Sequence, residues 1–272
     1  MTILDEIAEK TKIRVEKAKL LHPLVKLKED IKSLTTCYLL PATCNLPFKQ
    51  ALSSPGLSFI CEVKKASPSK GIIAEDFPYL EIARDYEEGG AAAISVLTEP
   101  EYFLGSDKYL QEISRAVNIP TLRKDFTIDS YQIYEAKLLG AKAVLLICAL
   151  LDTKTVAEYI NIAAELDLDA LVEIHNELEL EQAVQAGAKI IGINNRDLKT
   201  FKVDINASAA LRNKIPAGIL TVAESGIKSP EETRHLQNLG FDAVLIGETL
   251  MRSPDRKELL KILTQSTQSY AK

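Results

Sequence analysis

From residue 58 onward, short apolar runs alternate with longer stretches in which apolar residues recur at the spacing of an amphipathic helix. The eight apolar runs cover residues 59–64, 92–97, 121–124, 143–147, 170–174, 190–194, 219–223 and 243–246. The helical stretches between them cover residues 79–88, 109–117, 130–139, 153–166, 177–186, 207–213 and 230–239. Strands that alternate with helices form βα units on a parallel sheet. Eight such units predict an α/β fold, a closed (β/α)₈ TIM barrel, rather than an open doubly wound sheet.

The first 57 residues precede the repeating units and predict a helical extension. Residues 1–33 have helical spacing interrupted by Pro23, and residues 34–57 form a connection around a short helix near 48–52. We expect residues 1–272 to form one TIM-barrel domain, with the extension at 1–57 and the eight units at 58–272. We also expect the extension to pack near the mouth of the barrel at the first strand and to help cover the site. No Gly-x-Gly-x-x-Gly motif follows that strand, which disfavours a dinucleotide-binding domain.

Charge and hydropathy narrow the class of function. The net charge is −5 and the pI is about 5.5, so we expect no general attraction to nucleic acid or to an anionic membrane. The first residues carry acids where a signal peptide needs a basic segment. The longest apolar run, at 143–151, is nine residues, far short of the ~20 that span a bilayer. These features predict a cytoplasmic protein.

The cysteines and histidines give no support for a disulfide or a metal site. No two cysteines form a CxxC pair, which indicates reduced packing residues; they are Cys37, Cys44, Cys61 and Cys148. The three histidines are scattered without the spacing of metal ligands. We therefore expect no metal.

Charged side chains close several of the predicted strands. The period of two along the first strand puts Glu62 and Lys64 on one face. The later strands end in Lys124, Glu173, Asn194, Arg196 and Glu224. Active sites of TIM barrels lie at the C-terminal ends of the strands, and partly buried charges are costly unless they are paired or used. We therefore predict that these acids and bases converge on one site.

A phosphate site is predicted at the same end of the barrel. Ser225-Gly226 follows the seventh strand and Gly247-Glu248 follows the eighth, and both pairs offer backbone N–H groups where such barrels often bind phosphate. Ser67 and Lys64 complete it from the first strand, which neighbours the eighth in a closed barrel.

Several segments carry a resemblance to a known family. They read EVKKASPSKG (62–71), SVLTE (95–99) with YFLGS (102–106), LRKDF (122–126), VE (172–173), INNRDL (193–198) and AESGI (223–227). In these segments and in its helical extension, the chain resembles indole-3-glycerol phosphate synthases over nearly its whole length. Three positions depart from the family pattern: Phe77-Pro78 lacks an aspartate, Pro100 enters the loop after the second strand, and Glu248 replaces a serine.

The resemblance implies the substrate 1-(2-carboxyphenylamino)-1-deoxyribulose 5-phosphate, whose ring closure, decarboxylation and dehydration require no cofactor. It implies that Lys124 protonates the ketone oxygen, and we expect Glu62 to be the carboxylate partner of Lys124. Glu173 fits the base of the dehydration, with Lys64 or Lys124 as the acid.

Binding roles follow from the same resemblance. Asn194, Arg196 and Glu224 would orient the carboxylate and hydroxyl groups of the substrate, and Lys64 would also contact its carboxylate or phosphate. The walls for the aromatic ring would be Phe103, Phe126 and Leu145, although such residues are equally ordinary core.

Two other readings of these residues stay open. A lysine at a strand end also suits a Schiff-base aldolase, and a barrel with a phosphate site also suits a sugar-phosphate binding protein without catalysis. We expect a monomer that binds a phosphorylated small-molecule substrate, and association with other tryptophan-pathway enzymes is a further possibility.

Overall fold

The computed structural model describes residues 2–36, 47–196, 203 and 205–268. In this part of the chain, the strands are β1 (Ser58–Val63), β2 (Ala66–Ser67), β3 (Gly71–Ile72), β4 (Ala93–Leu97), β5 (Thr121–Lys124), β6 (Ala143–Ile147), β7 (Asp169–Ile174), β8 (Ile190–Asn194), β9 (Leu220–Glu224) and β10 (Ala243–Ile246). Eight of them close a parallel barrel in the order β1-β10-β9-β8-β7-β6-β5-β4, and β4 pairs back with β1. The predicted (β/α)₈ TIM barrel is confirmed. The short antiparallel hairpin β2–β3 follows β1 and was not predicted.

The helices in the same part of the chain are α1 (Ile3–Leu21), α2 (Leu24–Thr36), α3 (Phe48–Ala51), α4 (Tyr79–Glu88), α5 (Asp107–Ala116), α6 (Tyr131–Leu139), α7 (Thr153–Glu165), α8 (Glu177–Gln185), α9 (Ile205–Arg212), α10 (Pro230–Asn238), α11 (Glu248–Met251) and α12 (Arg256–Gln268). They agree with the predicted stretches to within a few residues, and α11 and α12 complete the eighth unit. None of them is long and apolar enough to cross a membrane.

Alternation along the strands sorts the core into two layers. In β1, Phe59 and Cys61 face the surrounding helices, whereas Ile60 points into the barrel. The barrel interior is filled by residues such as Leu122, Leu145, Leu171, Ile190, Val222 and Leu245. A barrel interior packed in this way is a core and not a pore. The side chains that carry chemistry are therefore confined to its ends.

Helix α3 lies at the N-terminal end of the barrel. Phe48 is fully buried and packs with the interior cluster, and the backbone N–H of Lys49 donates to the Asp169 carboxylate over 2.8 Å. Asp169 begins β7, so α3 covers the end of the barrel opposite to the predicted site. Cys61 and Cys148 are free and buried, as predicted, while Cys37 and Cys44 lie outside the described residues.

Candidate active site

A cavity of about 900 Å³ opens at the C-terminal ends of the strands. Every residue that the sequence predicts for the site lines it: Glu62, Lys64, Ser67, Phe103, Lys124, Phe126, Glu173, Asn194, Arg196, Glu224, Ser225, Gly226, Gly247 and Glu248. The side chains at these strand ends therefore face one cavity, and their roles in binding and catalysis stay predictions.

Lys124 lies between two carboxylates that reach it from across the barrel. Its Nζ donates to Glu224 Oε2 over 2.8 Å and to Glu173 Oε2 over 3.1 Å. The side chains of Glu224 and Glu173 are only 2% and 4% exposed, and that of Lys124 is 13% exposed. Three ionisable groups thus share one nearly dry position, where charge interactions are much stronger than in water.

The shared ammonium changes the titration of all three groups. Burial disfavours the charged form of Lys124, but the carboxylates of Glu224 and Glu173 outweigh it and raise the pKa of the amine. Burial, together with repulsion from Glu173, raises the pKa of Glu224 to about 7 in spite of Lys124. Burial also disfavours ionised Glu173, yet Lys124, His175 and a hydrogen bond from Asn194 lower its pKa below the ordinary value. The two carboxyl groups beside one ammonium therefore have pKa values that are shifted in opposite directions.

Glu62 pairs with Lys64 and not with Lys124, which corrects our expectation. Both residues project from the same face at the end of β1, so the carboxylate and the ammonium form an ion pair two residues apart. A Cβ at Gly247 would meet Glu62 Oε2, and it would lie 3.1 Å from Lys64 Nζ. The absence of a side chain at Gly247 therefore lets this pair lie against the end of β10.

Asn194 links the Glu173 carboxylate to Ser225 of the predicted phosphate site. Its Nδ2 donates to Glu173 Oε1 over 3.1 Å, and its Oδ1 accepts from Ser225 Oγ over 2.9 Å and from the Arg196 backbone N–H over 3.0 Å. Ser225 and Gly226 both have left-handed backbones, with φ of +71° and +86°. Successive N–H groups in such a turn form a concave surface that suits an anion.

The Glu248 side chain is held at the rim of the cavity by two cations. Its Oε1 accepts from Arg252 Nε over 3.2 Å and lies 3.8 Å from Lys70 Nζ. An acid stands here where the family resemblance led us to look for a serine, and these two cations offset its charge. Lys70 is thus a cavity residue that the sequence reasoning had not included in the site.

The chain matches a known family over most of its length. The profile of the family described as "Indole-3-glycerol phosphate synthase" covers residues 4–263. The chain belongs to the indole-3-glycerol phosphate synthase family. Proteins of that name are 55% identical in Ruminiclostridium cellulolyticum, over 96% of this chain and 98% of the relative, and 53% identical in Endomicrobium trichonymphae, over 96% and 99%.

Solved structures outside the indole-3-glycerol phosphate synthase family share the fold. A 3-hexulose-6-phosphate synthase superposes with a TM-score of 0.65 at 16% identity, over 77% of this chain and 99% of that one. A thiamine phosphate pyrophosphorylase from Pyrococcus furiosus gives 0.58 at 17% identity, over 79% and 97%. At such low identity these likenesses establish the barrel alone.

In this member of the family, helix α1 adds an apolar wall to the cavity, in addition to the predicted residues at the strand ends. Ile3, Leu4 and Ile7 line the cavity together with Phe103 and Phe126, whose ring centroids are 6.0 Å apart. The helical spacing of the extension was visible in the sequence, but the face that meets the cavity was not. The expectation that the extension helps to cover the site is consistent with this lining.

Ion pairs hold α1 over the loops that follow β4 and β5, and β4 is the neighbour of the first strand in the barrel. Arg14 Nη2 donates to Asp125 Oδ1 over 2.7 Å, and the Asp125 side chain is fully buried. Lys10 pairs with Glu101 over 2.7 Å, at the loop after β4. These partners are distant in sequence, so no local pattern could identify them.

Proposed function

We propose that the protein converts 1-(2-carboxyphenylamino)-1-deoxyribulose 5-phosphate to indole-3-glycerol phosphate in tryptophan biosynthesis. The family is one of decarboxylating lyases, and the observation that carries the proposal for this chain is the buried ammonium of Lys124 between Glu173 and Glu224. An apolar wall on one side and an anion-binding edge on the other match the two ends of this substrate.

The first step is the closure of the five-membered ring. The ring carbon that bears the carboxylate attacks the ketone carbon, and Lys124 gives a proton to the ketone oxygen, which becomes a hydroxyl. Because its carboxylate neighbours raise the pKa of Lys124, the amine is protonated at neutral pH, as a proton donor must be. The bond to the carboxylate then breaks, its electron pair neutralises the iminium nitrogen, and carbon dioxide leaves.

Dehydration completes the indole. Glu173 takes a proton from the carbon next to nitrogen while Lys64 or Lys124 protonates the departing hydroxyl, and water leaves. Glu173 suits this role because its lowered pKa keeps it ionised at neutral pH. Glu62 holds Lys64 at the end of β1 through their ion pair.

Substrate contacts follow from the lining of the cavity. We assign the phosphate to Ser67, Ser225, Gly226, Gly247 and the Glu248 backbone, with the Glu248 side chain turned to Arg252. The remaining polar groups, from Asn194, Arg196 and Glu224, orient the carboxylate and ribulosyl hydroxyls, and the ring lies against Phe103 and Phe126. In the cell, we propose a cytoplasmic monomer.

The test is an indole fluorescence assay with the carboxyphenylamino substrate. We expect wild type to form indole-3-glycerol phosphate, and Lys124→Ala and Glu173→Gln each to lower kcat by about 10²- to 10⁴-fold, the usual contribution of a proton-transferring side chain. Lys137→Ala is the matched control because Lys137 is a partly buried lysine outside the cavity. Circular dichroism checks that each variant is folded.

Three outcomes would count against the proposal. Full activity of Lys124→Ala would overturn the role of the lysine. A stable adduct on Lys124 after borohydride treatment with a carbonyl substrate would favour a Schiff-base aldolase. Tight binding of the substrate without turnover would favour a sugar-phosphate binding protein.

A further inference from the structure

The imidazole of His175 lies between two carboxylates just beyond the end of β7. Nδ1 is 3.1 Å from Glu179 Oε2, and Nε2 is 3.4 Å from Glu173 Oε1. The side chain is only 14% exposed. Nε2 is buried and has no hydrogen-bond partner among the described residues, and the carboxylate that it faces at 3.4 Å is the proposed base, Glu173.

Glu179 is fixed in the first turn of α8. Its Oε2 also accepts from the His175 backbone N–H over 2.8 Å, and its Oε1 accepts from Asn176 Nδ2 over 2.7 Å. Asn176 in turn caps the helix by accepting from the Glu179 backbone N–H over 3.0 Å. An ionised carboxylate only accepts hydrogen bonds, so Nδ1 carries a hydrogen and Glu179 sets the orientation of the ring. That orientation directs Nε2 at Glu173.

The charges around the ring favour the imidazolium form. Burial disfavours it, but the hydrogen bond to Glu179 and the nearby Glu173, Glu179 and Glu224 carboxylates outweigh burial and raise the pKa of His175. The opposing cation is Lys124, which contacts Glu173 on its other oxygen. Cys148 also lies within range of Glu173 and Glu179, and burial raises the pKa of its thiol, which keeps it neutral.

We propose that His175 is a positioning residue for Glu173, oriented by Glu179, and that it keeps the Glu173 carboxylate ionised and turned toward Lys124. This inference rests on the proposed function, in which Glu173 accepts a proton. Glu173 Oε2 accepts from Lys124, while Oε1 accepts from Asn194 and faces His175. Without the imidazole, the Oε1 side of the carboxylate loses a cation that lies 3.4 Å away, so the carboxylate ionises less readily and turns more freely.

The test compares two substitutions at the same position. His175→Leu removes the charge and the N–H groups, whereas His175→Gln keeps an N–H donor that reaches toward Glu173 but carries no charge. We expect His175→Leu to lower kcat about tenfold with less than a threefold change in KM, and to move the acid limb of the kcat/KM pH profile up by about one unit, because a cation no longer stabilises ionised Glu173. His175→Gln should restore most of kcat and keep part of the pH change.

Controls separate positioning from folding. His235→Gln makes the same exchange at an exposed position on α10 and should leave kcat and the pH profile unchanged. Glu179→Gln should resemble His175→Leu in direction, with a smaller effect. An unchanged acid limb in His175→Leu would overturn the proposal. Loss of kcat that His175→Gln does not restore, together with a lower Tm in both, would also overturn it and assign His175 a merely structural role.

A second measurement needs no substrate. The chain has three histidines, so NMR of the imidazole nitrogens can follow His175 directly, with His175→Gln assigning its signal. We expect Glu173→Gln to lower the pKa of His175, since the coupling between two titrating groups is reciprocal. An unchanged His175 pKa would overturn the contact. If wild type fails to convert the substrate, the proposed function is wrong; if wild type converts it and His175→Leu behaves as wild type, only this inference is wrong.

Discussion

The stability of the protein should depend on pH through Glu224. This carboxyl is 2% exposed, and burial, together with repulsion from Glu173, raises its pKa from the ordinary value of 4.5 to about 7. In the unfolded chain, the group recovers its ordinary pKa. Between pH 4.5 and about pH 7, Glu224 is therefore protonated in the folded protein and ionised in the unfolded chain.

The sign of the effect follows from that difference. A carboxyl whose pKa is raised by folding contributes its full stability below about pH 4, and this contribution is lost as the pH rises through the folded value near 7. The difference between the two pKa values corresponds to about 3 kcal/mol in full, of which roughly 2 kcal/mol falls between about pH 5 and pH 8. Glu224→Gln cannot ionise and should lack this loss.

Urea denaturation at about pH 5 and pH 8 measures the effect. We expect the unfolding free energy of Glu224→Gln minus that of wild type to be larger by about 2 kcal/mol at pH 8 than at pH 5, because only wild type loses stability over this interval. Glu165→Gln, at an exposed position on α7, should follow wild type at both values. If Glu224→Gln and wild type have parallel pH dependence, Glu224 does not titrate near neutrality and the account of the shared ammonium is wrong.

Three further substitutions test the surroundings of the cavity. Gly192→Ala would put a Cβ onto Glu224 Oε1, and we expect a loss of about 1–3 kcal/mol in unfolding free energy and a lower kcat, measured by urea denaturation and indole fluorescence. Arg14→Met leaves the buried Asp125 without its 2.7 Å partner on α1, and we expect a loss of about 1–3 kcal/mol and a raised KM. Glu248→Ser removes an acid from the phosphate edge, and steady-state kinetics should give a KM lower by about two- to fivefold, as for a partly exposed charge pair.

Each of these variants has a control of similar chemistry. Ser95→Ala changes a fully buried hydroxyl that has no hydrogen-bond partner among the described residues, so it should leave stability equal or higher. Lys26→Met on α2 and Glu258→Ser on α12 alter exposed charges and should not change KM. A wild-type kcat in Gly192→Ala, an unchanged KM in Arg14→Met or a raised KM in Glu248→Ser would each contradict the corresponding argument.

The barrel and the position of the charged strand ends around one cavity were predictable because both depend on local periodicity. A period of two places Glu62 and Lys64 on one face at the end of β1, and the alternation of strands with helices brings all strand ends to one mouth of the barrel. Spacing within a strand says nothing of distances across the barrel. The partner of Lys124 was therefore predicted wrongly: Glu62 is engaged by Lys64, while Glu173 and Glu224 contact Lys124 from β7 and β9.

The role of a glycine in a strand also depends on contacts with other strands, which the sequence does not reveal. The sequence of Ile190–Asn194 does not distinguish Gly192 from any other glycine in a buried strand. Glycine is required at this position because a Cβ would meet the side chain of Glu224 in the neighbouring β9. The missing side chain creates the space into which Glu224 Oε1 projects, and that oxygen is buried with no hydrogen-bond partner in the described residues. A carboxyl held in this way is costly to ionise, which is the physical origin of its raised pKa.

The difference in pKa between Glu173 and Glu224 follows from the groups that surround each carboxylate. Glu173 receives a hydrogen bond from Asn194, a contact with His175 and one from Lys124, whereas Lys124 is the only cation within ion-pair distance of Glu224 among the described residues. One ammonium cannot stabilise two buried anions equally, so the better-supported carboxylate keeps its charge and the other retains a proton near neutrality. The site therefore holds an ionised base and a second carboxyl able to exchange a proton on either side of the same lysine, and a change at Gly192, Asn194 or His175 would alter that division of charge without touching Lys124.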